Sequence, residues 1–414
     1  MNDDMILLVW RVKWHMTRSN EKDERTRVAL VYTGCHRRGG VERVVWEAAH
    51  HLSGRFDLVI VAEDVDPLPL CVDVVRIPGA PLHRRLVQRS FRRLADAVVR
   101  DIGADVIVSF GSNCPDGDVL VVQSVHRAWV LRGAAVRVGP MKVPALARSL
   151  LLRHRVRLAH ERATLRRLRR RRAIAAAVSS SVADDLTQLY GVSPSLIEVV
   201  ANGFDPSECE VERIDRLRLE VRDELQIQPG SKVLVLVANE YHRKGLAVLL
   251  EAMATLNRED IELLLVGRMA PDAFGPQIRA LRLENRVRWV GSTNDVTRYY
   301  AAADLFVMPT QYEAFGSVIV ESIACGLPVV TSELAGAAVV VSRNRNGLLL
   351  KDPLDARELT ECLRVALEPG TLQRWREACR PSVIGYEWSS VMQRLGDIVE
   401  KVAAQQSDPD PATT

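Results

Sequence analysis

Two stretches, VLVLVA at 233–238 and LLLVG at 263–267, are apolar at nearly every position rather than at every second one. A strand turns its side chains alternately to two faces, so a run without polar positions must be covered on both. That is the pattern of a parallel sheet lying between layers of helices. Similar short runs recur at 28–33, 58–62, 106–109, 119–123 and 174–178 in the first half, and at 305–308 and 328–331 in the second. Amphipathic helical patterns separate them. Leu246, Leu249, Leu250, Met253 and Leu256, for instance, fall on one face at steps of three and four. The β-α-β-α order occurs once in each half, so the expectation is an α/β protein with two Rossmann-like, doubly wound parallel sheets.

A chain of 414 residues has room for two or three domains and needs no disulfide or metal staple to fold. The boundary is expected at 199–206, where VVANGFDP ends a strand in an Asn-Gly turn and a proline. This gives a first domain at 26–200 and a second at 201–385. A final helix is placed at 386–403, strongest over 389–402, where Val391, Met392, Leu395, Ile398, Val399 and Val402 share a side. Residues 1–25 and the tail 404–414 read as frayed or disordered ends. The seven cysteines stand singly with no CxxC pair, which argues against a zinc framework or a disulfide scaffold and fits a reducing compartment. No apolar stretch nears the roughly 18–20 residues of a membrane span, and the apolar start at 5–10 is cut by Arg11 and Lys13. A soluble, cytoplasmic chain is expected.

The segment 304–330, DLFVMPTQYEAFGSVIVESIACGLPVV, carries the most chemistry. A strand ends at Met308-Pro309, a loop delivers Glu313, and Ala314-Phe315-Gly316-Ser317-Val318 opens a helix bearing Glu321. Free amides at a helix start, with a glycine that permits close approach, form a phosphate cradle. Glu313 stands before the cradle and Glu321 about two turns inside the helix, so the two carboxylates can address opposite ends of one ligand. Glu321 suits ribose hydroxyls and Glu313 a sugar hydroxyl. Glu321 also lies among Val318, Ile319, Val320, Ile323 and Ala324, where a carboxylate needs a partner.

Glu313-x7-Glu321 followed by ACGLPVV resembles the signature of glycosyltransferase family four, retaining enzymes of the GT-B fold. Further similarity lies in RVALVYTGCHRRGGVERVVWEAAHHL, VVANGFDP, VANEYHRKGLAVLLEAM, ELLLVGR (which contains Gly267) and AADLFVMPTQYEAFG, in the family's order. The YHRKG form resembles the branch of heptose-directed glucosyltransferases of lipopolysaccharide core assembly. The resemblance implies two domains facing a cleft, the first binding an acceptor and the second a nucleotide sugar, with the last helix crossing back to the first. It implies hexose transfer from a nucleotide-diphosphate sugar, a UDP-sugar on branch similarity, to a glycan or lipid-linked acceptor in cell-envelope polysaccharide or glycolipid synthesis.

Arg243 and Lys244 follow a strand in a loop leading into a helix, the ligand-facing edge of an open α/β sheet. Two cations there match a departing diphosphate, whose negative charge grows as the glycosidic bond breaks. Many family members carry an arginine five residues before the lysine, where this chain has Asn239; Arg243 is expected to substitute for it. Gly39 and Gly40 let the backbone approach a ligand from the opposite wall, with Glu42 and Arg43 in reach of acceptor or donor. By resemblance His126 lines the donor-sugar pocket. No GxGxxG follows the first strand, which argues against a nicotinamide dinucleotide site. Asp64-Val65-Asp66 and Asp116-Gly117-Asp118 have the D-x-D spacing of metal-bound sugar diphosphates, but a fold built around that motif leaves the second half unexplained. No metal and no cofactor are expected.

Charge is unevenly divided: 32 Lys/Arg against 21 Asp/Glu over 1–200, and 24 against 31 beyond. Ten arginines crowd 153–172, interleaved with Leu150, Leu151, Leu158, Leu165 and Leu168, and 83–100 is a second basic amphipathic stretch. The run is either a solvated helix packed on the first domain or a helix resting on an anionic bilayer, which would put the chain on the inner face of the plasma membrane. With no recognisable nucleic-acid motif beside it, no nucleic-acid partner is expected. Two readings compete with a transferase: a non-catalytic, membrane-associated adaptor that retains the fold, and a sugar-nucleotide epimerase of the same architecture.

Overall fold

The computed structural model describes residues 25–77, 84–114, 116–132, 136–138, 141–143 and 152–407. Expectations for 1–24 and 408–414, and for Leu150 and Leu151 of the arginine-rich stretch, fall outside them.

Seven parallel strands form the first sheet: β1 (Arg27–Val31), β2 (Asp57–Ala62), β3 (Asp73–Arg76), β4 (Val106–Phe110), β5 (Val119–Val122), β6 (Ile174–Ala177) and β7 (Ile197–Val199). Six form the second: β8 (Lys232–Val237), β9 (Ile261–Val266), β10 (Val287–Gly291), β11 (Leu305–Met308), β12 (Val329–Ser332) and β13 (Gly347–Leu350). Their spatial orders are β3-β2-β1-β4-β5-β6-β7 and β10-β9-β8-β11-β12-β13. Both read 3-2-1-4-5-6 from their own first strand, the dinucleotide-fold order. In each, the chain reverses its direction of winding beside the first strand, between β1 and β4 and between β8 and β11.

The helices used below are α1 (Val41–Leu52), α2 (Arg84–Ile102), α3 (His126–Arg132), α4 (Leu152–Arg171), α5 (Ser180–Tyr190), α6 (Val211–Glu224), α7 (Leu246–Leu256), α8 (Pro271–Ala280), α9 (Thr297–Ala302), α10 (Ser317–Ala324), α11 (Ala356–Ala366), α12 (Thr371–Cys379) and α13 (Trp388–Ser407). Val391, Met392, Leu395, Ile398, Val399 and Val402 of α13 share one core with Val28, Leu30, Val44 and Val45 of the first sheet and α1. Arg55 fastens the same helix through Glu400 at 2.6 Å and Asp397 at 2.7 Å. The helix runs on to Ser407, so the expected frayed tail starts too early at 404: Ala and Gln are good helix formers, and the Ser407 hydroxyl bonds the Ala403 carbonyl. The two chain crossings between the sheets lie side by side, the Phe204 N–H donating to Tyr386 and the Trp388 N–H to Phe204.

The α4 pattern resolves differently from an exposed apolar stripe. Leu165 and Leu168 are buried in the protein core, while Arg162, Arg166, Arg167, Arg169 and Arg170 face solvent. The fold consumes these two leucines, while Leu158 is half-buried and the outer face is dominated by cations. Among the described residues no helix is long and apolar enough to cross a membrane. At the start of β11, buried Asp304 accepts from Arg218 (2.6 Å), Arg222 (3.3 Å) and Arg376 (3.2 Å) and from the Val233 N–H at 2.8 Å. This pins β11 to β8 at the end of the sheet away from their outgoing loops.

Candidate active site

Leaving β8, the chain turns through residues 238–245 before α7 begins; leaving β11, it runs through 309–316 before α10. The two loops are laced together. The Gln311 N–H donates to the Arg243 carbonyl at 2.9 Å, and the Gln311 amide to that of His242 at 3.2 Å. Gly245 has φ +81°, and a Cβ there would stand 2.1 Å from the Pro309 carbonyl oxygen, so no side chain fits. This contact brings the residue before it, Lys244, against the β11 loop.

Lys244 and Arg243 meet on one oxygen of Glu313. The Lys244 ammonium donates to Glu313 Oε2, and Arg243 Nη1 lies 3.1 Å from the same atom. Arg243 also donates to the Tyr312 carbonyl and, at 2.7 Å, to Glu240. Burial alone raises the Glu313 carboxyl, but Lys244 and Arg243 outweigh it and hold the group below the ordinary carboxylate value. Burial pulls the Lys244 ammonium below its usual value against the attraction of Glu313, with Arg243 adding to the drop. Glu240 is largely in solvent and screened. On the buried side, two cations therefore share one carboxylate, and an incoming polyanion can take its place.

The start of α10 adjoins this triad. Its cap is Gly316, with φ +94° and no side-chain cap bond, and among the described residues the Ser317 and Val318 N–H groups donate to no protein acceptor. These amides carry the positive end of the helix. The first domain holds the segment from across the gap. The Ser179 hydroxyl donates to the Ala314 carbonyl at 2.6 Å, and the Asn202 amide to the Ser317 hydroxyl at 3.3 Å. Buried Phe315 accepts from the Ala337 N–H at 2.8 Å. Ser179 follows β6 and Asn202 follows β7, so the carboxyl ends of both sheets face one another.

Glu321 lies further along α10 and accepts from the Tyr300 hydroxyl at 3.2 Å. Burial raises its carboxyl, with Glu208 adding, while Arg43 and Tyr300 act the other way. Arg43 reaches in from α1 and is itself held by Glu47 at 3.3 Å and Glu208 at 3.6 Å. The partner that a carboxylate in this apolar stretch requires is thus a tyrosine of its own domain and a cation from the other.

Arg243, Lys244, Glu313 and residues 314–318 converge at the β8/β11 crevice, with Glu321 deeper in the cleft. Gly267 is set apart by packing: with φ +126°, a Cβ would lie 2.0 Å from the Ala238 carbonyl, reason enough for a glycine. In the first domain, exposed Gly39 and Gly40 lead into α1, and Glu42 folds back so that a Cβ on Gly39 would meet its carboxylate at 2.6 Å. His126 opens α3 just beyond β5. Its Nε2 lies 3.0 Å from Nδ1 of His154, and its ring stacks on those of His154 and Trp129. Burial, Arg157 and His154 together pull it down to about 4. Asn239, where an arginine was the family expectation, accepts from the Arg268 N–H at 3.1 Å, and Arg243 fills the ionic role beside Glu313. Three of the four D-x-D carboxylates serve arginines and backbone: Asp66 meets Arg38 and the Arg37 N–H, Asp116 meets Arg167, and Asp118 meets Arg171 and the Ile107 N–H. Sequence reasoning missed Ser179, Asn202 and Tyr300. Asn202 was in view within VVANGFDP but read only as a turn.

Known proteins agree with this architecture. The family model described as Glycosyltransferase Family 4 matches residues 38–208, and that of Glycosyl transferases group 1 matches 218–380. The lipopolysaccharide glucosyltransferase WaaG of Escherichia coli K12 is 29% identical over 219 residues, covering 52% of this chain and 59% of that protein; the chain spans about half the length of the curated relatives it matches. The crystal structure of WaaG superposes with a TM-score of 0.75 at 23% identity, over 90% of this chain and 99% of the other. HepE of Anabaena in complex with UDP and glucose gives 0.69 at 18% identity, over 91% and 99%. With both halves matched in order around the same crevice, the chain belongs to glycosyltransferase family 4 and has the GT-B fold.

Proposed function

We propose that the protein is a retaining glycosyltransferase that moves a hexose from a nucleotide-diphosphate sugar, with UDP as the favoured nucleotide, to a glycan or lipid-linked acceptor of cell-envelope polysaccharide or glycolipid synthesis. The convergence of Lys244 and Arg243 on Glu313, beside the uncapped start of α10, carries the reading. A diphosphate in that place replaces the carboxylate as the partner of both cations and accepts the Ser317 and Val318 amides. Glu313 is then free to take sugar hydroxyls, and Glu321 holds the ribose. As the bond between the anomeric carbon and phosphate breaks, its electron pair goes to the phosphate oxygen, where fixed cations in a water-poor cleft stabilise it. The acceptor oxygen bonds the same face of that carbon, and its proton passes to the departing phosphate. The reading needs no metal ion. The name of WaaG supports a glucosyl donor, and HepE, solved with UDP and glucose, supports the nucleotide.

Thermal shift with UDP, GDP and ADP, followed by a panel of nucleotide sugars assayed for slow hydrolysis, tests it. One nucleotide at a hundred times its Kd should stabilise the fold by about 2.7 kcal/mol, and the matching sugar should be hydrolysed. Stabilisation by none of them would favour the non-catalytic adaptor. The outward arginines of α4 support a peripheral place on an anionic membrane; flotation with anionic vesicles at low salt and release at high salt is the expected result.

A further inference from the structure

The first of the two chain crossings ends in a cysteine. Asp205 caps the single turn Pro206–Cys209, accepting from the Ser207 N–H at 3.0 Å and from the Ser207 hydroxyl at 2.7 Å. This turn sets two neighbouring residues toward different domains. Glu208 is held by Arg37 and Arg43 of the first domain, at 3.6 Å each. Cys209 is buried in the core with Ile214, Leu217 and Ile323, and its Sγ lies 3.0 Å from that of Cys325. Cys325 follows α10, its N–H donating to the Glu321 carbonyl at 3.0 Å, so it stands one turn beyond Glu321 on the same face. Cys209 is 6% exposed and Cys325 5%. Among the described residues no other hydrogen bond joins two cysteines, and of the seven only Cys71 is exposed.

We propose that Cys209 and Cys325 are a dithiol site that a small peroxide converts to a disulfide, fastening the crossing chain to α10, and that a dithiol reductant releases it. A disulfide bond is about 2.05 Å long, so the sulfurs have only about 1 Å to close. One sulfur attacks a peroxide oxygen, the O–O bond breaks, and a sulfenic acid and one water result. The second sulfur attacks the sulfenic sulfur, the S–O bond breaks, and that oxygen leaves as a second water with the remaining thiol proton. Both sulfurs are oxidised and the peroxide is reduced; a dithiol reverses this through a mixed disulfide and is itself left oxidised. Burial admits a small oxidant and excludes a bulky one. Its hydrogen bond to Cys209, together with burial, pushes the Cys325 thiol well above its ordinary value, so the reaction belongs to sustained peroxide exposure. Once the bond is made, Glu208 is gripped ionically from the first domain and Cys209 covalently from the second. The crossing then loses its freedom to bend where the domains join. None of this depends on the transferase reading.

The test treats the dilute full-length protein with hydrogen peroxide, digests it without reductant and maps the peptides by mass spectrometry. A peptide pair joined through Cys209 and Cys325, lighter by two hydrogens than its parts, should appear and should vanish with dithiothreitol. Hydrogen exchange of the amides across 204–210 should slow by about tenfold on oxidation and recover on reduction. Cys209→Ser should show neither change. The mapping uses the chain with both sulfurs in place, so a variant that folds poorly cannot decide it. Exposed Cys71 is the internal control for the reagent. Oxidised Cys71 with no joined pair, or a joined pair that leaves exchange across 204–210 unchanged, would overturn the proposal.

Discussion

The two sheets share one strand order, so the molecule makes the same crevice twice, yet it equips the two differently. Between β1 and β4 the buried groups of the outgoing loops are Cys35 and Asn113, with Arg37 and Arg38 out in solvent, and burial pushes the Cys35 thiol up to about 12, leaving it neutral. Between β8 and β11 they present Arg243, Lys244 and Glu313, charged groups held together in a buried place. Topology supplies the crevice. On the proposed reading, the few charged side chains set into it decide whether it can receive a diphosphate.

The largest expected effect lies in the second crevice: Lys244→Ala should lower turnover by roughly 10²–10³-fold, the scale of a lost charge-stabilising donor, with its melting temperature little changed. Turnover within a few-fold of the parent would remove the lysine from the chemistry. Next come the glycines that open α7 and α1. Gly245→Ala places a methyl against the Pro309 carbonyl at a left-handed φ and should cost at least about 2 kcal/mol in urea unfolding. Gly40→Ala meets nothing within 4 Å and should stay within about 0.5 kcal/mol; equal costs would erase the contrast between the two loops. Glu321→Gln should weaken nucleotide binding about tenfold, as a lost charged hydrogen bond does, whereas Glu42→Gln on the opposite wall should leave it unchanged by calorimetry. The smallest effect concerns His126. Its value in the folded chain, about 4, lies below the ordinary 6.5, so its contribution to stability is complete above pH 6.5 and is lost as the pH falls toward 4. An NMR titration midpoint near 6.5 would show that the ring is not enclosed by its stack.

The interior strands are legible because each is an unbroken apolar run: DLVIVA, VLVV, KVLVLV and LFVM face helices on both sides. Two edge strands carry no such mark: Asp73–Arg76 is largely exposed, and Val287–Gly291 carries Arg288 and Trp289. Gly347–Leu350 is mostly buried, but its apolar run is only three leucines after a glycine. At the site, Glu313, Arg243 and Lys244 were readable as charged residues at strand ends beside a helix start. Their meeting on a single oxygen was not, because it depends on the close packing of Gly245 on Pro309. Tyr300 and Asn202 were opaque for a related reason: each matters through a residue at least twenty positions away. The arginine run was only partly legible: of its leucines, Leu165 and Leu168 belong to the core, which no charge pattern announces.

Because α13 supplies a wall to the core that β1 begins, the first sheet cannot be completed until residues 388–407 have left the ribosome. The sheet begun first is finished second. The carboxyl-terminal sheet, contiguous in sequence, can assemble earlier and then carries the missing helix back to its waiting neighbour.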